Sequence, residues 1–232
     1  MSALIHVMES VFTRGNVLYL LQGLFTTLFV AVISICLSII FGTVFALLRT
    51  YGNRMFRAVS SIYIEIFRNT PHLLWVFAIR FLIRIPEPFD APVYSGILSF
   101  TLFTTAGMAE IIRGGLNSIP SGQFEGAYSQ GFNFPQTLRL IILPQCYRSI
   151  IPAMLSQVIT VIKDTSFLAQ VAIQEFFNNS KWIMSAQADS SVDQTLRVFV
   201  IFGFVALVYF IINFVLSYIV RSQKKNRLEI RY

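Results

Sequence analysis

The sequence predicts an all-α integral membrane protein: five transmembrane helices, with the N-terminus outside and the C-terminus in the cytoplasm. Three observations carry this. Hydrophobic residues make up 55% of the 232 and charged residues only 12%, a balance that suits a bilayer better than water. Long runs lack any charged side chain. The charge of the segments between those runs alternates in sign along the chain.

Taken in order, the opening MSALIHVMESVFTRGN lacks a basic start, a short apolar core and a small-residue cleavage site, so no removed signal peptide is expected. No charge occurs between Arg14 and Arg49, and a helix over Leu18 to Leu48 makes the first pass. Val59 to Ile85 is the second, unusual in carrying Glu65, Arg68, Arg80 and Arg84. Tyr94 to Ile112 is the third, uncharged until Glu110, and Val198 to Val220 is the fifth, with no charge at all. The fourth is irregular. Only Ser149 to Ile162 is free of charge before Lys163 and Asp164, too short to span alone, yet the chain turns apolar again after Ser166. This pattern predicts a helix interrupted by a polar break.

Orientation follows from the connections. Arg49, Arg54 and Arg57 follow the first pass, whereas Glu87 and Asp90 follow the second. The next connection holds Arg113, Arg139 and Arg148 against Glu125; the one after holds Glu175, Asp189 and Asp193 against Lys181. The tail RSQKKNRLEIRY has five bases and one acid. Under the positive-inside rule the first, third and last of these lie in the cytoplasm. With no repeat and no low-complexity linker, residues 1–232 read as a single transmembrane domain.

The third connection, about 114–148, is rich in glycine, proline and polar residues, and it contains EGAYSQGFNFPQTLRLIILP. Within it SGQFEGAYSQG reads as a short helix capped by Ser121 and ended by Gly131, with Pro135 opening the next helical stretch. Small residues along such a helix let a second surface approach closely. The connection thus reads as a compact knob.

Glu125, Gly126 and Ala127, then Gly131, then Ile141, Leu143 and Pro144 match in spacing the Glu-Ala-Ala motif of the membrane subunits of ATP-binding cassette importers, with Gly126 in place of the first alanine. FRNTPHLLW (Phe67 to Trp75), AEIIRGGLNSIPSGQ (Ala109 to Gln123) and IKDTSFL (Ile162 to Leu168) resemble the polar amino-acid branch of these importers. The resemblance covers nearly the whole chain. It implies a type I importer permease fold, with the knob seated in a cleft of a separate ATPase subunit. It also implies an ATPase dimer, a second permease subunit of the same or a related chain, and an extracytoplasmic amino-acid-binding protein. The sequence has no G-x-x-x-x-G-K-[ST], so ATP and magnesium are expected on the ATPase partner, with no cofactor or metal in this chain.

Polar residues within the passes are the candidates for a substrate path. A charge at mid-bilayer costs about 2.5 to 3.5 kcal/mol or more, so such groups pair or face water. Lys163, Asp164, Thr165 and Ser166 form one group, read either as ligand contacts or as the closure of an outer loop. Arg68, Thr70 and Pro71 form another, because Pro71 frees a backbone carbonyl; lining a path and stabilising a helix bend stand as equal readings. Glu65 with Arg68, and Glu110 with Arg113, have the i, i+3 spacing of helical ion pairs. Arg80 and Arg84 read as snorkelling to outer headgroups and His72 as a packing residue. Cys36 and Cys146 offer neither a disulfide framework nor a metal-ligand spacing.

The sequence therefore reads as the transmembrane subunit of an ATP-driven importer of polar amino acids in the cytoplasmic membrane of a prokaryote, without catalytic residues and without a nucleic-acid partner. Arg68 and Lys163 lean the substrate towards glutamine or glutamate; Glu65, Glu110 and Asp164 keep an arginine- or histidine-type substrate open. A small channel or a membrane-embedded enzyme is the rival class. With only His6 and His72, far apart in sequence, no catalytic cluster suggests itself.

Overall fold

A computed structural model describes residues 2–185 and 191–229. Asp189 falls outside the described residues, as do the side chains of Asp193 and of the basic tail. Among the described residues ten α-helices form: α1 Ser2–Val11, α2 Arg14–Tyr51, α3 Arg54–Arg68, α4 His72–Leu82, α5 Pro92–Asn117, α6 Gly122–Ser129, α7 Phe134–Thr137, α8 Leu143–Asp164, α9 Phe176–Ser185 and α10 Ser191–Glu229. No strand occurs among the described residues.

Among the described residues four stretches are long and apolar enough to cross a membrane: Arg14–Tyr51, Pro92–Asn117, Phe134–Val171 and Gln194–Val220. The expected second pass is instead two helices, α3 and α4, parted at 69–71. Pro71 cannot donate to the preceding turn and disfavours helical backbone before it. The side chains of Asn69 and Thr70 fold back onto the Glu65 and Ile66 carbonyls at 2.9 and 2.7 Å.

The fourth pass differs from expectation in the other direction. The helix does not stop at Ile162: α8 runs through Lys163 and Asp164 and continues as a 3-10 helix, Thr165–Val171. The polar break is thus a tightening of the helix. Hydroxyls satisfy carbonyls there, Thr165 donating to Ile162 at 2.7 Å and Ser166 to Lys163 at 2.9 Å. The segment ends at Ala172, which takes the left-handed conformation at φ 58°. At its other end α8 is joined to α7 by a π-helical turn, Leu138–Ile142, so helix is continuous from Phe134.

Contacts sort the chain into two compact units, with α2, α4, α5, α8 and α10 contributing residues to both. The first comprises 1–33, 73–100 and 159–218. Its core joins Val7, Val11, Leu20, Phe176, Ile183, Ile201 and Val205. Gly23 lies against the backbone of Glu175, where an added Cβ would sit 2.9 Å from the carbonyl oxygen. The second unit comprises 34–72, 101–158 and 219–232, and its core joins Ala46, Ile112, Leu116, Ile142, Cys146 and Ile150. Gly42 and Gly115 allow close helix approach here: an added Cβ would lie 2.8 Å from Met108 Cβ at the first and 2.4 Å from Ile150 Cγ2 at the second. Close packing of small residues is a principal attraction between helices in lipid.

Candidate functional site

The predicted knob lies in the second unit. α6 starts without the side-chain cap expected of Ser121, whose backbone is itself helical (φ −55°, ψ −32°). Its end is as expected. Gly131 adopts φ 82°, which only glycine takes freely, and its N–H donates to the Tyr128 carbonyl at 3.0 Å while Phe132 donates to Ala127 at 3.1 Å. Asn133 then opens α7 with a reciprocal cap, its side chain accepting from Gln136 N–H as the Gln136 side chain accepts from Asn133 N–H. Pro135 occupies the first turn.

The seven motif residues divide by exposure. Glu125, Gly126, Gly131 and Pro144 face out. Ala127 is buried, and Ile141 and Leu143 pack against the core of the second unit. The exposed four form the open side of the knob, and the other three pack it onto its unit. A 2.9 Å bond from Gln145 to Gln123 joins α8 to α6, and the ring of Tyr51, at the end of α2, contacts Phe124 and Phe134 with centroids 6.2 and 5.3 Å apart. These contacts join the knob to α2 and α8.

The same unit holds an ion network centred on Glu110. The carboxylate accepts from Arg49 at 2.8 Å and from two nitrogens of Arg113, both at 2.9 Å, and pairs with Arg68 at 3.5 Å. Arg49 also reaches Glu65 at 3.4 Å. The Glu110–Arg113 pair matches its spacing. Glu65, by contrast, pairs with Arg49 and not with Arg68 as its spacing allowed, and Arg68 pairs with Glu110. Sequence reasoning placed Arg49 as a loop charge, and its bond across 61 positions leaves no periodic signal.

The proposed path residues fall in both units. In the second, Arg68 is half exposed, Thr70 half-buried and Pro71 exposed. His72 is buried and stacked on Phe103, centroids 4.1 Å apart, in agreement with a packing role. In the first, Lys163 is exposed, Asp164 and Ser166 are half-buried and Thr165 is buried. A cavity of about 650 Å³ in that unit is lined by residues 80–87 together with Asp90, Pro92 and Ser95, so Arg80 and Arg84 share it with Glu87 and Asp90.

One polar group of the first unit reads in the sequence only as a charge of a connection. Glu175 is fully buried and caps α9, accepting from the Phe177 and Asn178 N–H groups at 2.9 and 2.6 Å and from the Thr27 hydroxyl at 3.1 Å. Burial pushes its carboxyl up to about 6 against the lowering effect of those donors. An acid just before the helical run FFNNSKW was the available signal.

The arrangement offers an exposed peg, a charged hub and a helix that changes pitch. A model of the family described as binding-protein-dependent transport system inner membrane component matches residues 34–225. The chain is 36% identical to the probable glutamine ABC transporter permease protein GlnP of Bacillus subtilis, over 95% of this chain and 96% of that one. It is 33% identical to the L-cystine transport system permease protein TcyB of the same organism (84% and 80% covered) and 30% identical to the glutamate/aspartate import permease protein GltK of Escherichia coli (89% and 92%). Among solved structures, an amino acid ABC transporter with histidines superposes with a TM-score of 0.72 at 23% identity, covering 90% of this chain and 94% of that one. The MetNI methionine ABC transporter gives 0.68 at 17%, covering 91% and 99%. At these identities the structures establish the shared fold.

Proposed function

The chain belongs to the family of inner membrane components of binding-protein-dependent transport systems, and from that premise we propose that it forms half of the translocation path of an ATP-driven importer of polar amino acids. It is a multi-pass permease subunit of the cell membrane. In the proposal, residues 1–232 make one transmembrane domain of five passes, the broken α3 and α4 together forming the second, with the N-terminus outside and the C-terminus in the cytoplasm. A second permease subunit completes the path, two ATPase subunits bind below and carry the ATP and magnesium, and a binding protein delivers substrate from outside. The observation that carries this reading is the division of the motif into an exposed set, Glu125, Gly126, Gly131 and Pro144, and an anchoring set, Ala127, Ile141 and Leu143, on one knob.

ATP-driven closure of the ATPases pulls on the knob and favours the outward-facing state; hydrolysis returns the inward-facing one. Substrate passes Arg68, Thr70 and Pro71 and the Lys163 to Ser166 segment. Support for a glutamine- or glutamate-type substrate comes from the named substrates of two relatives and from the surplus of arginine around Glu110, which leaves that acid little capacity for a cationic ligand. The test is ATP-dependent uptake in proteoliposomes holding this chain with its cognate ATPase and binding protein. Glutamine or glutamate accumulates, and Asp164→Ala abolishes uptake without loss of assembly. Uptake of arginine or histidine alone refutes the substrate assignment, and unchanged uptake in Asp164→Ala returns that segment to a structural role.

A further inference from the structure

A cavity of about 290 Å³ in the second unit has no part in this transport cycle. Arg49, Thr50, Arg57, Ser61, Arg113 and Asn117 line it, from the end of α2, the first turns of α3 and the end of α5. Three of the six are arginines and none is acidic. The Thr50 hydroxyl is committed to the Ala46 carbonyl at 2.8 Å, which leaves the Ser61 hydroxyl and the Asn117 amide as neutral donors.

The charge around it does not balance. Among the described residues Arg49, Arg68 and Arg113 share Glu65 and Glu110, and Arg57 beside them brings the surplus to two positive charges. Glu110 already serves three arginines, and Arg57 has no ion pair among the described residues; it donates to the Gly52 carbonyl at 3.4 Å. Surplus cations beside a low-dielectric layer are stabilised by a captured anion, and guanidinium groups match the oxygens of phosphate. A zwitterionic amino acid fits less well, since the lining holds no carboxylate for its ammonium group.

The helix that brings Arg57 and Ser61 to the cavity also indicates the source of the anion. Met55, Val59, Ile62 and Ile66 recur at i, i+4, i+7 and i+11 as an exposed apolar stripe along α3. Such a helix, with arginines at its start, has the composition of one that lies against lipid. We propose that the arginine-lined cavity binds a phosphate-type anion supplied by the headgroup of an anionic phospholipid. The site adjoins the knob through chain continuity, because Thr50 on its wall precedes Tyr51, whose ring packs on Phe124 and Phe134. A bound headgroup thus braces the end of α2 on which the knob rests.

The experiment uses the full chain in nanodiscs of phosphatidylcholine, with or without phosphatidylglycerol, and reads retained lipid by native mass spectrometry and thermal stability by fluorescence. The expected result is at least threefold preferential retention of phosphatidylglycerol, with a higher melting temperature. Both are lost in Arg57→Gln and kept in Arg54→Gln, which removes a charge from the same helix outside the cavity. Should Arg57→Gln fold poorly, Ser61→Leu fills the cavity while keeping every arginine and is expected to lose the preference as well. If inorganic phosphate stabilises the protein in phosphatidylcholine alone to the same degree, with no preference for the anionic lipid, the lipid source is overturned. Equal retention of both lipids with no response to phosphate overturns the site itself.

Discussion

Replacing Glu110 by glutamine removes the centre of the ion network, and the geometry fixes how much that should cost. The Glu110 side chain is only 16% exposed and takes three hydrogen bonds from two guanidinium groups. At about 1.5 to 3 kcal/mol per charged hydrogen bond, the uncorrected sum is about 4.5 to 9 kcal/mol. Two corrections lower it. Arg113 and Arg68 are 34% and 53% exposed and screened by solvent, and a glutamine oxygen keeps one acceptor. Arg49, at 22% exposure, stays largely desolvated and loses its nearer carboxylate. The net expectation is about 3 kcal/mol, at the low end of the cost of breaking a buried pair. On the scale of soluble chains of this length, that is a fall in melting temperature of about 6 to 12 °C. Thermal unfolding in detergent measures it, and Arg113→Gln with the double variant closes a cycle. A fall below about 2 °C, or a coupling under about 0.3 kcal/mol, would refute the view of Glu110 as a stabilising hub.

Gly126→Ala restores the motif's usual residue at an open helical position and should stabilise α6 by up to about 1 kcal/mol; a lower melting temperature would contradict this. Gly23→Ala forces a methyl group against the Glu175 backbone and should cost about 1 to 3 kcal/mol, whereas the same change at the open Gly203 serves as its control. The Glu175 carboxyl, at about 6 in the folded protein against an ordinary 4.5, binds its proton more tightly folded than unfolded. Its contribution to stability is therefore full below pH 4.5 and is lost as pH rises through 6, by about 2 kcal/mol. Melting temperatures of wild type and Glu175→Gln across pH 4 to 8 measure this; an equal pH dependence in both would remove Glu175 as its source.

How far the sequence speaks depends on whether a feature is local. α2 and α10 follow from the absence of charge over more residues than a bilayer needs, a property of composition alone. Gly131 was legible because its turn demands a left-handed backbone that few other residues accept. At Pro71 a helix bend was one of two equal readings, because proline lacks a backbone donor and restricts the residue before it; two separate helices, α3 and α4, were not expected from one apolar run. Where the reading failed, side chains were weighed without their partners. Lys163 and Asp164 interrupt hydropathy without interrupting helical hydrogen bonding, so α8 passes through them. Ser121 has the right residue type for a cap, but its backbone is already helical. Arg49 and Glu175 looked like loop charges because their partners, Glu110 and Thr27, lie 61 and 148 positions away.

The knob's role is tested most directly by labelling it. A chain with Cys36→Ser, Cys146→Ser and Tyr128→Cys carries one thiol at a position 47% exposed on α6. An impermeant maleimide should react with it in inside-out vesicles and not in intact cells, and the bound ATPase should slow that reaction at least tenfold. Labelling from outside the cell, or equal rates with and without the ATPase, would contradict a knob on the inner face that couples this subunit to its ATPase.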